Sequence, residues 1–125
     1  MFLVNPKSKQ PIYEQLVEQL RRQLVLGGME AGAAMPSVRQ LATELGINPN
    51  TIQKAYRRME EEGMIESVPG RGSFVTENLA LIVEKQRRDQ LDKTRQTLAI
   101  CREMGLGKED MLILVENAYK EGDNC

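Results

Sequence analysis

Histidine and tryptophan are absent from this 125-residue chain, and cysteine is scarce. Without histidine, the chain lacks the commonest general base of enzymes and the commonest metal ligand. The two cysteines, Cys101 and Cys125, lie 24 positions apart near the C-terminal end, which excludes a zinc site or a cysteine–histidine nucleophile. We therefore expect no catalytic site, no metal and no cofactor.

Long apolar runs are missing as well. No stretch approaches the roughly 20 apolar residues needed to cross a bilayer, and no charged-then-apolar leader is present. We expect a soluble cytoplasmic protein, with no membrane partner, in which both thiols are reduced. A chain of 125 residues can bury one modest core, which predicts one small domain with an appendage.

The charges nearly cancel over the whole chain but are unevenly placed. Seventeen lysines and arginines face eighteen acidic residues, for a net charge of −1. Between residues 36 and 59, however, four cations face only Glu44, a local charge of +3, and three glutamates follow at once at positions 60–62. A local basic face suffices to bind a phosphate backbone, because salt screens charges beyond about 8 to 10 Å.

Helix signals cluster in the first half of the chain. Apolar residues recur every four positions after Pro11, predicting a first helix that ends at residues 27–28. Ser37 followed by Gln40 is a capping-box pattern that predicts the start of a second helix, which Gly46 ends. Asn48 is a good N-cap with Pro49 behind it, so a third helix starts three residues after the second. Its predicted buried stripe is Ile52, Ala55, Tyr56 and Met59.

Two short β-prone runs follow, residues 64–68 and 73–75, and the turn between them predicts a hairpin. A long charged helix and a last helix over about 108–120 are predicted after Thr76. The expected fold is mainly α with a small β-hairpin: a winged helix-turn-helix domain over residues 1–76 and a two-helix region over 77–125.

A helix-turn-helix places the start of its second helix in the major groove of DNA. Asparagine and glutamine can pair with adenine, and threonine can contact thymine. Arginine and lysine suit phosphates, and a thin Gly-Arg-Gly hairpin tip can approach the minor groove. The residues predicted to contact DNA are Arg39, Asn48, Pro49, Asn50, Thr51, Gln53, Lys54, Arg57, Gly70 and Arg71.

The chain resembles the winged-helix regulators of the GntR family over roughly residues 8–76. The matching segments are residues 11–15, 35–42, 48–56, 63–65 and 70–75. The resemblance implies a bacterial transcription regulator that binds a double-stranded DNA operator of two half-sites as a homodimer. It also implies DNA contacts at Arg39, Asn48, Asn50, Thr51 and Gly70. Some members carry arginine where this chain has Pro49 and Gln53, which predicts weaker, less salt-dependent phosphate binding here.

The short tail resembles the YtrA-like branch of that family, which implies dimerisation through the C-terminal helices and regulation of a transporter operon. About 50 residues cannot enclose a metabolite as a full ligand domain does. A charged helix with a narrow apolar face suits packing against a second copy. The residues expected at the dimer contact are Leu91, Leu98, Met111, Leu112 and Val115.

Several alternatives stay open at this point. Asn48 and Thr51 can be helix caps without touching DNA, and Arg39 can pair with Glu44. The long tail helix can fold back on its own domain. Residues 1–78 hold nine cations and nine anions, which also suits an adaptor that binds protein. A small-molecule effector between the tails of a dimer is open too, with Met104, Met111 and Tyr119 as lining residues.

Overall fold

The computed structural model describes residues 2–123 and contains five helices and one two-stranded antiparallel sheet within that range. The chain divides into two compact units, residues 1–86 and residues 87–125. The elements are, in order, α1 Ile12–Leu26, α2 Val38–Leu45, α3 Pro49–Glu61, β1 Ile65–Val68, β2 Gly72–Val75, α4 Leu79–Glu103 and α5 Lys108–Asp123. The predicted fold class, mainly α with a hairpin wing, is confirmed.

The core of the first unit lies between α1, α3 and the sheet. Leu16, Leu20 and Leu24 recur every four residues along α1 and are fully buried or nearly so. The predicted stripe of α3 faces them, with Ile52 and Met59 completely buried. Each such aliphatic side chain contributes roughly 1.5 to 3 kcal/mol, so this contact holds α3 in place.

The turn between α2 and α3 follows from three local signals. The Ser37 hydroxyl accepts a hydrogen bond from the Gln40 amide at 3.0 Å, which caps α2. The reciprocal bond of the predicted capping box is not made, because the Gln40 side chain reaches forward to Glu44 instead. Gly46 adopts φ +66°, and the next amide, that of Ile47, donates to the Ala42 carbonyl at 3.0 Å. This left-handed end turns the chain sharply into α3.

The wing is a hairpin, and part of the connection between α1 and α2 pairs with its edge. β1 and β2 pair with Ile65 opposite Val75 and Val68 opposite Gly72. On the other edge of β2, Ala34 forms a bridge with Phe74, and the Met35 amide donates to the Ser73 carbonyl at 2.9 Å. The connection between α1 and α2 therefore serves as a short third strand.

The segment before α1 is held along that helix. Phe2 is buried in the core. The side-chain amide of Gln15 binds the Asn5 backbone on both its N–H and its carbonyl, and the Gln19 side chain does the same at Leu3. These two glutamines satisfy backbone groups of an extended segment that no sheet pairs.

The tail consists of most of α4 and all of α5. The first turn of α4 belongs to the first unit, since Leu79 and Ile82 pack on its core. Gly105 ends α4 at φ +82°, as the predicted break requires, and α5 runs three residues beyond the predicted end. Cys101 is a free, half-buried thiol. Cys125, the other predicted thiol, lies outside the described residues.

Candidate nucleic-acid interface

The first turn of α3 is shaped by Asn48 and Pro49. The Asn48 side-chain oxygen accepts a hydrogen bond from the Asn50 amide at 2.8 Å, and Pro49 occupies the first helical position, where no amide is needed. The capping role predicted for Asn48 is therefore present. Its side-chain NH₂ group has no partner within residues 2–123, so the cap leaves a donor at the surface.

A row of exposed polar side chains runs along α3 opposite its buried stripe. Asn50, Gln53, Lys54 and Arg57 lie within about two helical turns of one another, and all four are exposed. The side chains of Asn50, Gln53 and Arg57 make no hydrogen bond or ion pair with any other described residue. Thr51 is half-buried beside this row. The row therefore offers amide and guanidinium groups that can bind an external partner.

Arg39 lies on the exposed surface at the start of α2. The predicted alternative, a pair with Glu44, is not formed, and Glu44 accepts a hydrogen bond from Gln40 at 3.4 Å. Only the backbone carbonyl of Arg39 is used, by the Thr43 hydroxyl. Across the described chain its guanidinium has no partner, which leaves all five donors available.

Lys54 is the one member of the row that touches another helix in the described structure. Its ammonium nitrogen lies 4.1 Å from the centre of the Tyr13 ring on α1. This contact was absent from the sequence-based prediction. Helical periodicity could identify neither partner, because their positions are 41 residues apart and meet only when α1 and α3 pack.

Tyr56 fixes α3 to the start of α2 from inside the core. Its hydroxyl donates to the Pro36 carbonyl oxygen at 2.6 Å. Burial, with a smaller contribution from the charge of Glu44, raises the pKa of Tyr56 to about 12. The prediction that Tyr56 belongs to the buried stripe of the third helix is confirmed by its 6% exposure.

The glutamates at the end of α3 pair with one of the local cations. Glu62 accepts from Arg21 on α1 at 2.6 Å and from Arg58 at 3.4 Å. Arg58 is therefore committed to an ion pair, while Arg39 and Arg57 keep free guanidinium groups within the described range. Glu60 accepts a hydrogen bond from Ser67 on β1. The glutamate block thus ties α3 to its neighbours.

The wing tip is a tight Pro-Gly turn. The Arg71 amide donates to the Val68 carbonyl at 2.9 Å, and Gly70 adopts φ +76°, the pattern of a type II turn. An added Cβ at Gly70 would meet nothing within 4 Å, so the backbone conformation, and not crowding, favours glycine. Arg71 is exposed, and its side chain contacts no described residue through a polar bond.

The tail carries an apolar groove on its own unit. Four of the five residues predicted at a dimer contact, Leu98, Met111, Leu112 and Val115, line it together with Leu106. Its volume is about 340 Å³, and Arg102 and Lys108 complete its lining. Leu91, the fifth predicted residue, is 64% exposed and lies outside the groove.

Two negative findings apply to residues 2–123. None of the helices there is both long and apolar enough to span a bilayer. The same residues contain no group of three or more cysteine, aspartate or glutamate side chains placed to hold a metal ion.

The model for the gntR family of bacterial regulatory proteins matches residues 12–75. The transcriptional repressor YtrA of Bacillus subtilis is 46% identical over 78 residues, which cover 62% of this chain and 60% of YtrA. The regulator YhcF of the same species is 35% identical over 106 residues, covering 85% of this chain and 88% of YhcF. The chain thus spans less than two thirds of YtrA but most of YhcF.

Solved structures share the fold. A transcriptional regulator from Oenococcus oeni superposes with a TM-score of 0.76 at 29% identity, covering 95% of this chain and 99% of the other. The DNA-binding domain of AraR, solved in complex with its operator ORX1, superposes with a TM-score of 0.52 at 27% identity, covering 60% of this chain and 93% of that domain. The winged helix-turn-helix geometry and these matches agree, and the chain belongs to the GntR family of DNA-binding transcription regulators.

Proposed function

We propose that this regulator is a homodimeric repressor that inserts α3 into the major groove at each half of a two-half-site operator. The observation that carries the proposal is the row of exposed polar side chains on α3, beginning at its capped N-terminus, in which Asn50, Gln53 and Arg57 have no polar partner among the described residues. Side chains that are buried or paired within the protein are not available to DNA, whereas free amides and guanidinium groups match base edges and phosphates.

Each side chain of the row has a chemical role in this proposal. Asn50 and Gln53 read base edges, with adenine the matching base, and Thr51 contacts a thymine methyl or a phosphate at the helix edge. Lys54 and Arg57 bind phosphates on either side of the groove. Asn48 adds its free NH₂ group, and Pro49 shapes the leading turn.

Arg39 and the wing extend the contact beyond α3. Arg39 lies at the start of α2, and all the donors of its guanidinium are free. Its side chain therefore suits a base or a phosphate next to the turn of the helix-turn-helix. The wing tip at Gly70 and Arg71 presents one cation on a narrow backbone, which suits a minor groove or a phosphate. Together with Lys54 and Arg57, these residues give the surface four cations that can replace counterions on DNA.

The apolar surface of the tail supports dimerisation. α4 has no buried residue, and nine large apolar side chains between residues 98 and 119 are 44% exposed or more. So much exposed apolar surface on a short helical pair marks an interaction site. A second copy of the same tail buries it by symmetry, with the groove residues at the contact.

The proposal that this chain represses a transporter operon rests on its similarity to known proteins and not on the geometry of the DNA-binding surface. YtrA is named a transcriptional repressor, and the short-tailed branch that this chain resembles implies transporter genes as targets. An inverted repeat in the promoter of an adjacent transporter operon is the expected genomic setting. For a small-molecule effector we propose a site between the two tails of the dimer. Of its expected lining residues, Met111 lies in the groove, and Met104 and Tyr119 are exposed.

Selection of duplexes from a random library by the wild-type protein tests the proposal. We expect a two-fold symmetric sequence whose half-sites lie one helical turn, about 10 base pairs, or a multiple of it apart. Affinity for the selected duplex should fall steeply with salt. A protein-binding adaptor, the competing interpretation of the balanced charge, would enrich no sequence and would show no salt-dependent binding to DNA.

A further inference from the structure

The contact between Tyr13 and Lys54 joins the start of α1 to the flank of the recognition helix. The ammonium nitrogen of Lys54 lies 4.1 Å from the centre of the tyrosine ring, well inside the roughly 6 Å over which cation–π attraction acts. Both residues line an open notch of about 670 Å³ whose other walls are Pro11, Ile12, Asn50 and Thr51. The pair therefore lies beside residues proposed to meet DNA.

Among the described residues, the contact with the Tyr13 ring is the one interaction of the Lys54 ammonium group. The Tyr13 hydroxyl is turned to Glu14, which it reaches at 3.2 Å, so the ring and not the hydroxyl meets the lysine. That hydrogen bond raises the pKa of Tyr13 above its ordinary value. The neighbouring cation on the same flank, Arg58, is held by Glu62 and does not compete for the ring.

We propose that Tyr13 is a positioning residue for DNA binding: its ring holds the Lys54 ammonium at the edge of α3, where it meets a phosphate of the DNA backbone. The inference rests on the proposed function, because it assigns Lys54 to the same DNA surface. A free lysine loses much rotamer freedom when it binds. A lysine that is already ordered by an aromatic ring loses less, so DNA binds more tightly.

A double-mutant cycle tests the coupling between the two side chains. The probes are a random-sequence duplex of about 30 base pairs and a duplex selected by the wild-type protein, since a phosphate contact strengthens binding to both. We expect Tyr13→Leu to weaken binding about two- to fivefold, as loss of an exposed cation–π contact implies. Tyr13→Phe keeps the ring and should bind like the wild type.

The decisive comparison is between the effects of Tyr13→Leu on DNA affinity in two different variant proteins. Tyr13→Leu should have no further effect in a Lys54→Met protein, because the cation that the ring positions is gone. It should keep its full effect in an Arg57→Met protein, the matched control, because Arg57 makes no contact with the ring. Equal losses in both backgrounds would mean that Tyr13 acts on folding alone and would overturn the inference.

Stepwise fluorination of a phenylalanine placed at position 13 gives a second measurement that does not depend on how Tyr13→Leu folds. Fluorine withdraws charge from the ring face while the ring keeps its shape, so affinity should fall with each added fluorine. Constant affinity across the series would overturn the inference. If the wild-type protein binds neither duplex in a salt-dependent way, the proposed function itself fails. If the wild-type protein binds DNA but Tyr13 and Lys54 are not coupled, only this inference fails.

Discussion

The hydroxyl of Tyr56 and the carbonyl oxygen of Pro36 are 2.6 Å apart and share a hydrogen bond. The bond joins the middle of α3 to the residue before the Ser37 cap of α2, inside an otherwise apolar core. α2 is eight residues long and also packs on the core through Leu41 and Ala42. Together with that packing, this polar bond helps to fix the angle between the two helices of the DNA-binding motif.

Replacing Tyr56 with phenylalanine should destabilise the protein. The Pro36 carbonyl would lose its partner, so we expect the free energy of unfolding to fall by about 1 to 3 kcal/mol. Urea unfolding followed by circular dichroism measures the change. Tyr13→Phe is the matched control, because its hydroxyl bonds only to the adjacent Glu14 at the surface. A loss no larger than that of the control would contradict the role of the bond.

The same tyrosine should make stability depend on alkaline pH. Its pKa is raised from 10.0 in the unfolded chain to about 12 in the folded one, so the folded state holds the proton more tightly. The stabilisation is complete below pH 10 and is lost as the pH rises from 10 to 12. Melting temperatures should therefore fall more steeply over this range for the wild type than for Tyr56→Phe. Parallel curves for the two proteins would contradict this prediction.

Arg39→Ala should abolish specific operator binding while the protein stays a folded dimer. The side chain is exposed and has no partner in the described structure, so its loss disturbs no internal contact. We expect affinity for the selected duplex to fall at least tenfold in a gel-shift titration, in line with the roughly 1 to 3 kcal/mol of a bidentate contact. Arg88→Ala, which removes an exposed cation from the tail, should bind normally. Unchanged affinity of Arg39→Ala would exclude the proposed contact.

Two substitutions at Asn48 separate capping from DNA contact. Aspartate caps a helix as well as asparagine does, so Asn48→Asp should keep wild-type stability, whereas Asn48→Ala should lose about 1 kcal/mol. The added carboxylate repels phosphates, so Asn48→Asp should bind the selected duplex less tightly than the wild type does. Thermal unfolding and fluorescence anisotropy measure the two effects. Wild-type affinity of Asn48→Asp would mean that Asn48 is a cap alone.

A charge in the tail groove should separate the proposed dimer. Leu112→Asp would place a carboxylate among apolar side chains of the groove, and desolvating it at a dimer contact is unfavourable. Sedimentation velocity should then show a monomer with normal helix content. Leu26→Asp is the control, since Leu26 is 78% exposed at the end of α1. A dimer that survives Leu112→Asp would place the contact elsewhere in the tail.

Local chemistry made much of the DNA-binding unit predictable. The caps at Ser37 and Asn48, the left-handed Gly46 and the Pro-Gly turn of the wing each act within about five residues, and the structure has all of them. The reciprocal half of the capping box was wrong, because Gln40 has Glu44 within reach one turn later. Side-chain partners on a surface are decided by small differences in free energy, which a short motif does not encode.

Contacts between distant residues could not be derived in this way. The bridge from Ala34 to Phe74, the pair of Arg21 and Glu62, and the ring of Tyr13 beside Lys54 each join positions about 40 residues apart. Periodicity says which face of a helix is buried but not which residue of another helix lies opposite, and that depends on how whole elements pack.

The amino-acid sequence from Pro36 to Val75 by itself determined the helix boundaries, the sharp turn and the exposed polar row. It could do so because capping, turn formation and helical periodicity act between near neighbours. Which of its cations are free was settled by packing. Arg58 is taken by Glu62 and Lys54 rests against Tyr13, while Arg39 and Arg57 keep free guanidinium groups within the described residues. Side-chain availability is a property of the folded surface, since it depends on which charges and rings of other elements come within a few ångströms.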